Sequence, residues 1–245
     1  MAGTRRKAAI KTDEPCTYAD LLTKPEDELW ELVDGVPYAM TVPSADHQYI
    51  SVQLTRHFAN FFDGKPCQIF HAPYGVFLPK KGESIEETTN LVIPDLVVVC
   101  DEKKRTSRGC RGAPDLVVEI LSPMIPRMVE CRGCGTKPRS PRPSSLAHDQ
   151  LRKLNLYEKK IPEYWIIQPE GIVMVFRLQK DGRYGRPDMY NRNMEISTPL
   201  FAGLLIDLEN VFPPLPPKGV RESAKTFHRE RLIKETIDGK PFRES

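Results

Sequence analysis

The chain has 245 residues, 40% hydrophobic and 28% charged, enough apolar material for a buried core and enough to exclude wholesale disorder. A net charge of +3 identifies no partner by itself, and six cysteines over this length do not make the dense pattern of a secreted disulfide scaffold. The longest apolar run, residues 91–100, is interrupted by Asp95 and is too short to span a bilayer, and no apolar stretch follows the basic N-terminus. A soluble cytoplasmic protein without membrane contact is therefore expected.

Residues 1 to about 15 read as a disordered basic tail. Leu29, Trp30 and Val33 have helical spacing, which predicts a helix over 26–33, ended by Asp34-Gly35 and followed by a short strand over 36–42. Ser44 is a good N-cap for a second helix, and Asp46 lies in its first turn, where a carboxylate suits the helix dipole. Ile50, Leu54, Phe58, Phe61 and Phe62 form its apolar stripe, and Asp63-Gly64 closes it. Short strands over 68–72 and 75–78 precede a polar loop over 80–90. Residues 93–100 and 115–121 are aliphatic almost without alternation, which predicts two strands covered on both faces.

Ser122-Pro123 stops the second of these strands. Residues 124–147, rich in Pro, Arg, Gly and Ser, read as an irregular insertion. A helix over 148–160 follows, with Leu151, Leu154 and Tyr157 suitably spaced, and then a buried strand over 163–168. Residues 172–178 and 184–191 form an expected antiparallel pair across Asp181-Gly182. A mixed segment over 201–212 closes the domain, and the prolines at 213, 214, 216 and 217 mark its end. A Pro-rich linker and charged tail over 214–245 remain, with a charged helix from about 222 to 237. This order predicts an α/β domain over 16–213, with a central mixed β-sheet flanked by helices.

Charge is spread unevenly. Residues 127–160 hold nine basic against three acidic side chains, and 218–245 hold eight against five. A basic strip on a nearly neutral protein fits a polyanion partner, although an arbitrary charge run is more often a solvated face.

Asp95 and Glu119 stand inside runs of Val, Leu and Ile. An unpaired buried carboxylate is very unfavourable, so each needs a partner or a metal ion. Strand parity places Asp95 with Val97 and Val99, and Glu119 with Asp115, Val117 and Leu121. If the strands are neighbours, the two acids converge on one cation, and two carboxylates plus waters suit magnesium. The competing readings are a strand-start role for Asp95 and Asp115, after Pro94 and Pro114, which is the preferred one for Asp115, and a buried ion pair with an Arg for Glu119.

These residues carry a resemblance. Residues 93–99, Ile-Pro-Asp-Leu-Val-Val-Val, and 112–123, Gly-Ala-Pro-Asp-Leu-Val-Val-Glu-Ile-Leu-Ser-Pro, resemble the Uma-two family of restriction endonucleases. Segments 29–35, 43–48, 149–157, 161–169 and 200–204 match in the family's order, so the resemblance covers about residues 18–212. It implies the PD-(D/E)xK nuclease-like fold and a metal-dependent DNA endonuclease that hydrolyses phosphodiester bonds, with Mg2+ or Mn2+ as cofactor and DNA as partner. Carried over, Asp95 is the motif Asp and Glu119 the motif acid, both metal ligands. Leu121 stands where the motif Lys lies two residues after the acid. Members of this type carry a Lys on the following helix instead, which matches Lys153, spaced i, i+4 from Asp149. Glu31 matches an additional carboxylate on the first helix, and His47 the His in the first turn of the second. Val36 replaces the acid usual after Asp34-Gly35.

The insertion separates Ser-Pro from the Lys153 helix and contains Cys131-Arg-Gly-Cys134. One such knuckle supplies two of the four ligands that zinc needs, with Cys110 and His148 the only plausible additions. Structural zinc at Cys131 and Cys134 is thus the weaker reading beside two free thiols. Val36, Leu121 and the insertion support an alternative, a catalytically degenerate nuclease-fold module that binds nucleic acid or regulates. A structural or assembly protein is the third reading. Many nucleases of this fold dimerise, so a homodimer is expected by analogy alone.

Overall fold

The computed structural model describes residues 15–25, 28–40, 42–121, 151–158 and 160–215. A short helix, α1 (Tyr18–Leu21), precedes a hairpin of β1 (Trp30–Val33) and β2 (Val36–Ala39). The long helix α2 (Ala45–Phe62) then leads to β3 (Gln68–His71), β4 (Val76–Phe77), β5 (Leu91–Val92), β6 (Leu96–Val99), β7 (Arg105–Thr106), β8 (Gly109–Arg111) and β9 (Leu116–Ile120). Residues 151–157 are helical and form α3. Strands β10 (Glu163–Gln168), β11 (Ile172–Arg177), β12 (Asp188–Asn191), β13 (Glu195–Ser197) and β14 (Leu205–Asp207) complete the chain order. All of these elements belong to one unit that ends at Phe212.

Two mixed six-stranded sheets form the framework, ordered β2-β1-β5-β4-β8-β7 and β12-β11-β10-β9-β6-β3, with β13 and β14 as a separate pair. The expected α/β class with mixed sheets stands, but the strands are divided between two sheets. The aliphatic run from residue 91 to 99 is the reason. It breaks at 93–95, where Pro94 offers no N–H to a ladder, so β5 enters the first sheet and β6 the second. In the second sheet β9 and β10 run parallel, with Leu116 opposite Glu163, and the chain between them includes α3.

The helix expected over 26–33 is overturned. Trp30–Val33 is a strand paired antiparallel with Val36–Ala39, and Asp34 and Gly35 make the two-residue turn with φ of 48° and 76°. Asp-Gly between apolar runs is a strong hairpin signal, and it outweighs three apolar residues at helical spacing. Gly35 is also sterically required, because a Cβ there would lie 2.3 Å from Cβ of Pro15.

α2 begins as its sequence predicts, with Ser44 Oγ accepting the His47 N–H at 3.2 Å. Its residues Ile50, Leu54, Phe58 and Phe62 pack against Leu96, Val98, Leu116, Val118 and Trp165 on one face of the second sheet. Val97, Val99 and Val117 point the other way, into a cluster with Val33, Tyr157, Tyr164 and Ile166. Both faces of β6 and β9 are therefore covered, which is why these strands lack polar alternation.

A disulfide joins Cys67 to Cys100, one step beyond the Gln68–Val99 pair of β3 and β6. It closes a loop with a sequence separation of 33, which chain-entropy reasoning values at about 3–4 kcal/mol. Reductant, or Cys67→Ser, is expected to lower the melting temperature by on the order of 10 °C in thermal unfolding. Identical melting curves with and without reductant would overturn this. The predicted insertion with Cys131 and Cys134, the start of the helix at 148–150, the charged helix over 222–237 and all but the last residue of the N-terminal tail lie outside the described residues. Among the described residues no helix is long and apolar enough to cross a membrane.

Candidate active site

β6 and β9 are antiparallel neighbours, with Leu96 opposite Val118 and Val97 opposite Val117. One step further along that register Asp95 faces Glu119, and parity turns both toward the side occupied by Val97 and Val117. Asp95 is held at both oxygens. His47 Nε2 lies 3.0 Å from Oδ1, and the Ile120 N–H donates to Oδ2 at 2.6 Å. A carboxylate only accepts, so the shared proton belongs to Nε2. His47 is buried in the first turn of α2, and among the described residues its Nδ1 has no hydrogen-bond partner.

Lys153 reaches the same side from α3. Its Nζ lies 3.0 Å from Glu119 Oε1 and 2.8 Å from Glu31 Oε1. Glu31 arrives from β1, on the same face as Val33, and its Oε1 also accepts the Ile93 N–H at 2.8 Å. That N–H sits in the gap between β5 and β6, so Glu31 satisfies a backbone group freed by the break. The Tyr157 hydroxyl, one turn after Lys153, donates to Glu119 Oε1 at 2.9 Å. The side chains of Glu31, Glu119 and Lys153 are 10%, 13% and 19% exposed, which puts the cluster close beneath the surface. Arg152 approaches the Tyr38 hydroxyl of β2 beside it.

The five residues singled out in the sequence, Glu31, His47, Asp95, Glu119 and Lys153, are thus neighbours. Glu31 comes from a strand instead of the expected helix. Tyr157, read from the sequence only as an apolar helix position, is the added member. Its signal was the i, i+4 spacing from Lys153. Asp115 has the bland role, with its Oδ2 accepting the Cys100 N–H at 2.7 Å. Cys110 is buried, and its S–H faces the Gly112 carbonyl.

Burial pushes the Glu119 carboxyl up to about 7; Lys153 opposes the shift, and Asp95 and Glu31 add to it. Burial also works against the Lys153 ammonium, but Glu119 and Glu31 outweigh it and hold Lys153 above the ordinary lysine value. Glu119 therefore keeps its proton to a higher pH in the fold than in the unfolded chain. Its contribution to stability is full below its ordinary value of 4.5 and is lost as pH rises toward about 7. In urea unfolding between pH 5 and 7, the wild type should lose stability faster than Glu119→Gln, by up to about 1.4 kcal/mol per pH unit. Parallel pH curves for the two proteins would count against the raised carboxyl.

Two carboxylates, Glu31 and Glu119, share the one ammonium, and Asp95 adds a third acid across the β6–β9 register. Among the described residues no donor reaches Glu31 Oε2 or Glu119 Oε2, whereas their Oε1 atoms each hold two. Among the described residues no group of three His, Cys, Asp or Glu side chains converges as a ready-made metal cage. Such an open, oxygen-only set fits a hard divalent ion that keeps several waters, Mg2+ or Mn2+, better than four-ligand zinc.

Similarity to known proteins extends over much of this framework. The family model Uma2, described as "Putative restriction endonuclease", matches residues 16–124. "Uncharacterized protein slr1290" of Synechocystis sp. is 33% identical over 146 residues, which is 57% of this chain and 71% of that protein. The crystal structure of a "putative nuclease belonging to DUF820" from Anabaena variabilis superposes with a TM-score of 0.56 at 18% identity. It covers 81% of this chain and 98% of its own, a likeness of fold. The family match includes Glu31, His47, Asp95 and Glu119 but stops short of α3.

Proposed function

The chain belongs to the Uma2 family and has the restriction-endonuclease-like fold, and from that premise we propose that it is a metal-dependent endodeoxyribonuclease. The observation that carries the proposal is the meeting of Asp95, Glu119 and Lys153 on one face of the sheet, with negative charge left over after Lys153 is counted.

Asp95 and Glu119 would hold Mg2+ or Mn2+, with Glu31 as a further carboxylate. When bound, such an ion polarises the scissile phosphate and lowers the pKa of an attacking water. The chain's own residues supply the remainder. The Lys153 ammonium, kept charged by two carboxylates, stabilises negative charge as it develops at the phosphate. His47 and the Ile120 N–H fix the Asp95 carboxylate from behind, so that its orientation does not depend on substrate. Basic side chains of the 127–160 strip, Arg152 among them, contact DNA backbone without reading sequence. Cutting both strands calls for two such sites, so we extend the proposal to a homodimer.

The test is conversion of supercoiled plasmid to open-circular or linear DNA by purified protein with Mg2+ or Mn2+, and its absence with EDTA. A second reading, a nuclease-fold module that binds nucleic acid without cutting it, draws on Leu121 and on an ammonium that already engages Glu31 and Glu119. It predicts salt-dependent DNA retention with no cleavage at any concentration of either ion.

A further inference from the structure

Tyr157 neither touches substrate nor holds the cation in the proposed chemistry. This side chain is fully buried, its ring edge-on to Tyr164 with centroids 4.9 Å apart, in the cluster that contains Val97, Val117 and Ile166. A ring packed on all sides has little rotational freedom, so its hydroxyl is a fixed point. That hydroxyl donates to Glu119 Oε1 at 2.9 Å, the same oxygen that Lys153 Nζ reaches at 3.0 Å. Lys153 and Tyr157 are spaced i, i+4, so a single face of α3 delivers both donors.

A glutamate has three side-chain torsions, and a carboxylate with one donor can still swing about it. Two donors of separate origin on one oxygen set the plane of the group. They also leave Oε2, which no donor reaches among the described residues, as the oxygen that remains available. A buried tyrosine hydroxyl needs an acceptor, but a backbone carbonyl would serve that need equally well. Phenylalanine would fill the same space with no hydroxyl to satisfy.

Resting on the reading of Glu119 as a metal ligand, we propose that Tyr157 is a positioning residue: with Lys153 it clamps Oε1 of Glu119 and keeps Oε2 free for the divalent cation. The hydroxyl does not touch substrate in this scheme; it acts through Glu119. Hydrogen bonds behind a metal ligand are worth about 10–100-fold in metal affinity or activity.

Tyr157→Phe tests the proposal by removing one oxygen and keeping the ring. Mn2+ binding, measured by calorimetric titration without DNA, should weaken at least about tenfold. The Mg2+ concentration that half-saturates plasmid cleavage should rise by the same factor, while KM for the plasmid stays unchanged. Tyr164→Phe, which removes a hydroxyl from the same cluster but not from Glu119, should bind Mn2+ as the wild type does. Adding Tyr157→Phe to Glu119→Gln should cost no further affinity. If the wild type binds Mn2+ and Tyr157→Phe binds it equally well, the clamp is wrong and the nuclease reading survives. A loss in Tyr164→Phe as large as in Tyr157→Phe would assign the effect to packing and overturn the clamp. If the wild type binds no Mn2+ and cuts no plasmid, both readings fall together.

Discussion

Glu119→Ala is expected to reduce Mg2+-dependent plasmid cleavage by at least about a thousandfold, equivalent to roughly 4 kcal/mol of transition-state stabilisation. The variant removes one of the two carboxylates proposed to hold the cation, and it also removes a contact that fixes Lys153. Folding should survive. Lys153 keeps its 2.8 Å pair with Glu31, and the deleted carboxyl is one whose charge burial already disfavours. The measurement is therefore a paired one, initial cleavage rate beside melting temperature. Loss of cleavage in a protein that still unfolds cooperatively, destabilised by about 1–3 kcal/mol because the buried Tyr157 hydroxyl loses its acceptor, is the expected outcome. Undiminished cleavage by folded Glu119→Ala would remove Glu119 from the site, and with it the proposed chemistry. Asp95→Asn should behave alike, because it preserves shape while taking away the charge that faces His47 and that is proposed to hold the cation.

The second large effect is on stability. Lys153→Met removes the ammonium from between Glu31 and Glu119 and leaves two poorly exposed carboxylates facing each other near Asp95. Breaking a buried pair from one side costs about 3–5 kcal/mol, because the surviving charges lose their partner without regaining water. The sign of the pH response follows. Without Lys153 the Glu119 carboxyl is raised further, so stability should recover as the pH falls and the acids take up protons. Urea unfolding at pH 7 should show the full deficit and at pH 5 a much smaller one. Mg2+ at pH 7 should restore part of it by neutralising the same carboxylates. A variant as stable as the wild type at pH 7 would mean that Lys153 is not bound between the acids. Lys153→Arg is not a silent control, because a planar fork does not reproduce a point charge shared by two oxygens.

The acids were legible for a physical reason. A strand covered on both faces admits only apolar residues, so Asp95 and Glu119 were conspicuous, and a period of two assigned each to a face without knowledge of its neighbours. The cap of α2 was equally local. Ser44 and His47 are three residues apart, and the bond between them is in every sense a property of that short stretch. The reason Trp30–Val33 is a strand and not the expected helix is local too. Three apolar residues cannot separate a helix from a strand by period alone, and Asp34-Gly35, which is compatible with a helix stop, decides the matter as a hairpin turn.

From its sequence alone the chain declared its class, the two acidic strands and the face on which each acid lies, because these depend on spacing within a few residues. Only the tertiary structure decided that β6 and β9 are adjacent in the register that sets Asp95 opposite Glu119, that Pro94 parts one aliphatic run between two sheets, and that α3 returns Lys153 and Tyr157 to a single carboxylate oxygen. The contacts at that acid pair join residues 24 positions apart for Asp95 and Glu119 and 38 apart for Glu119 and Tyr157, where periodicity within a segment carries no information about which segment packs beside it.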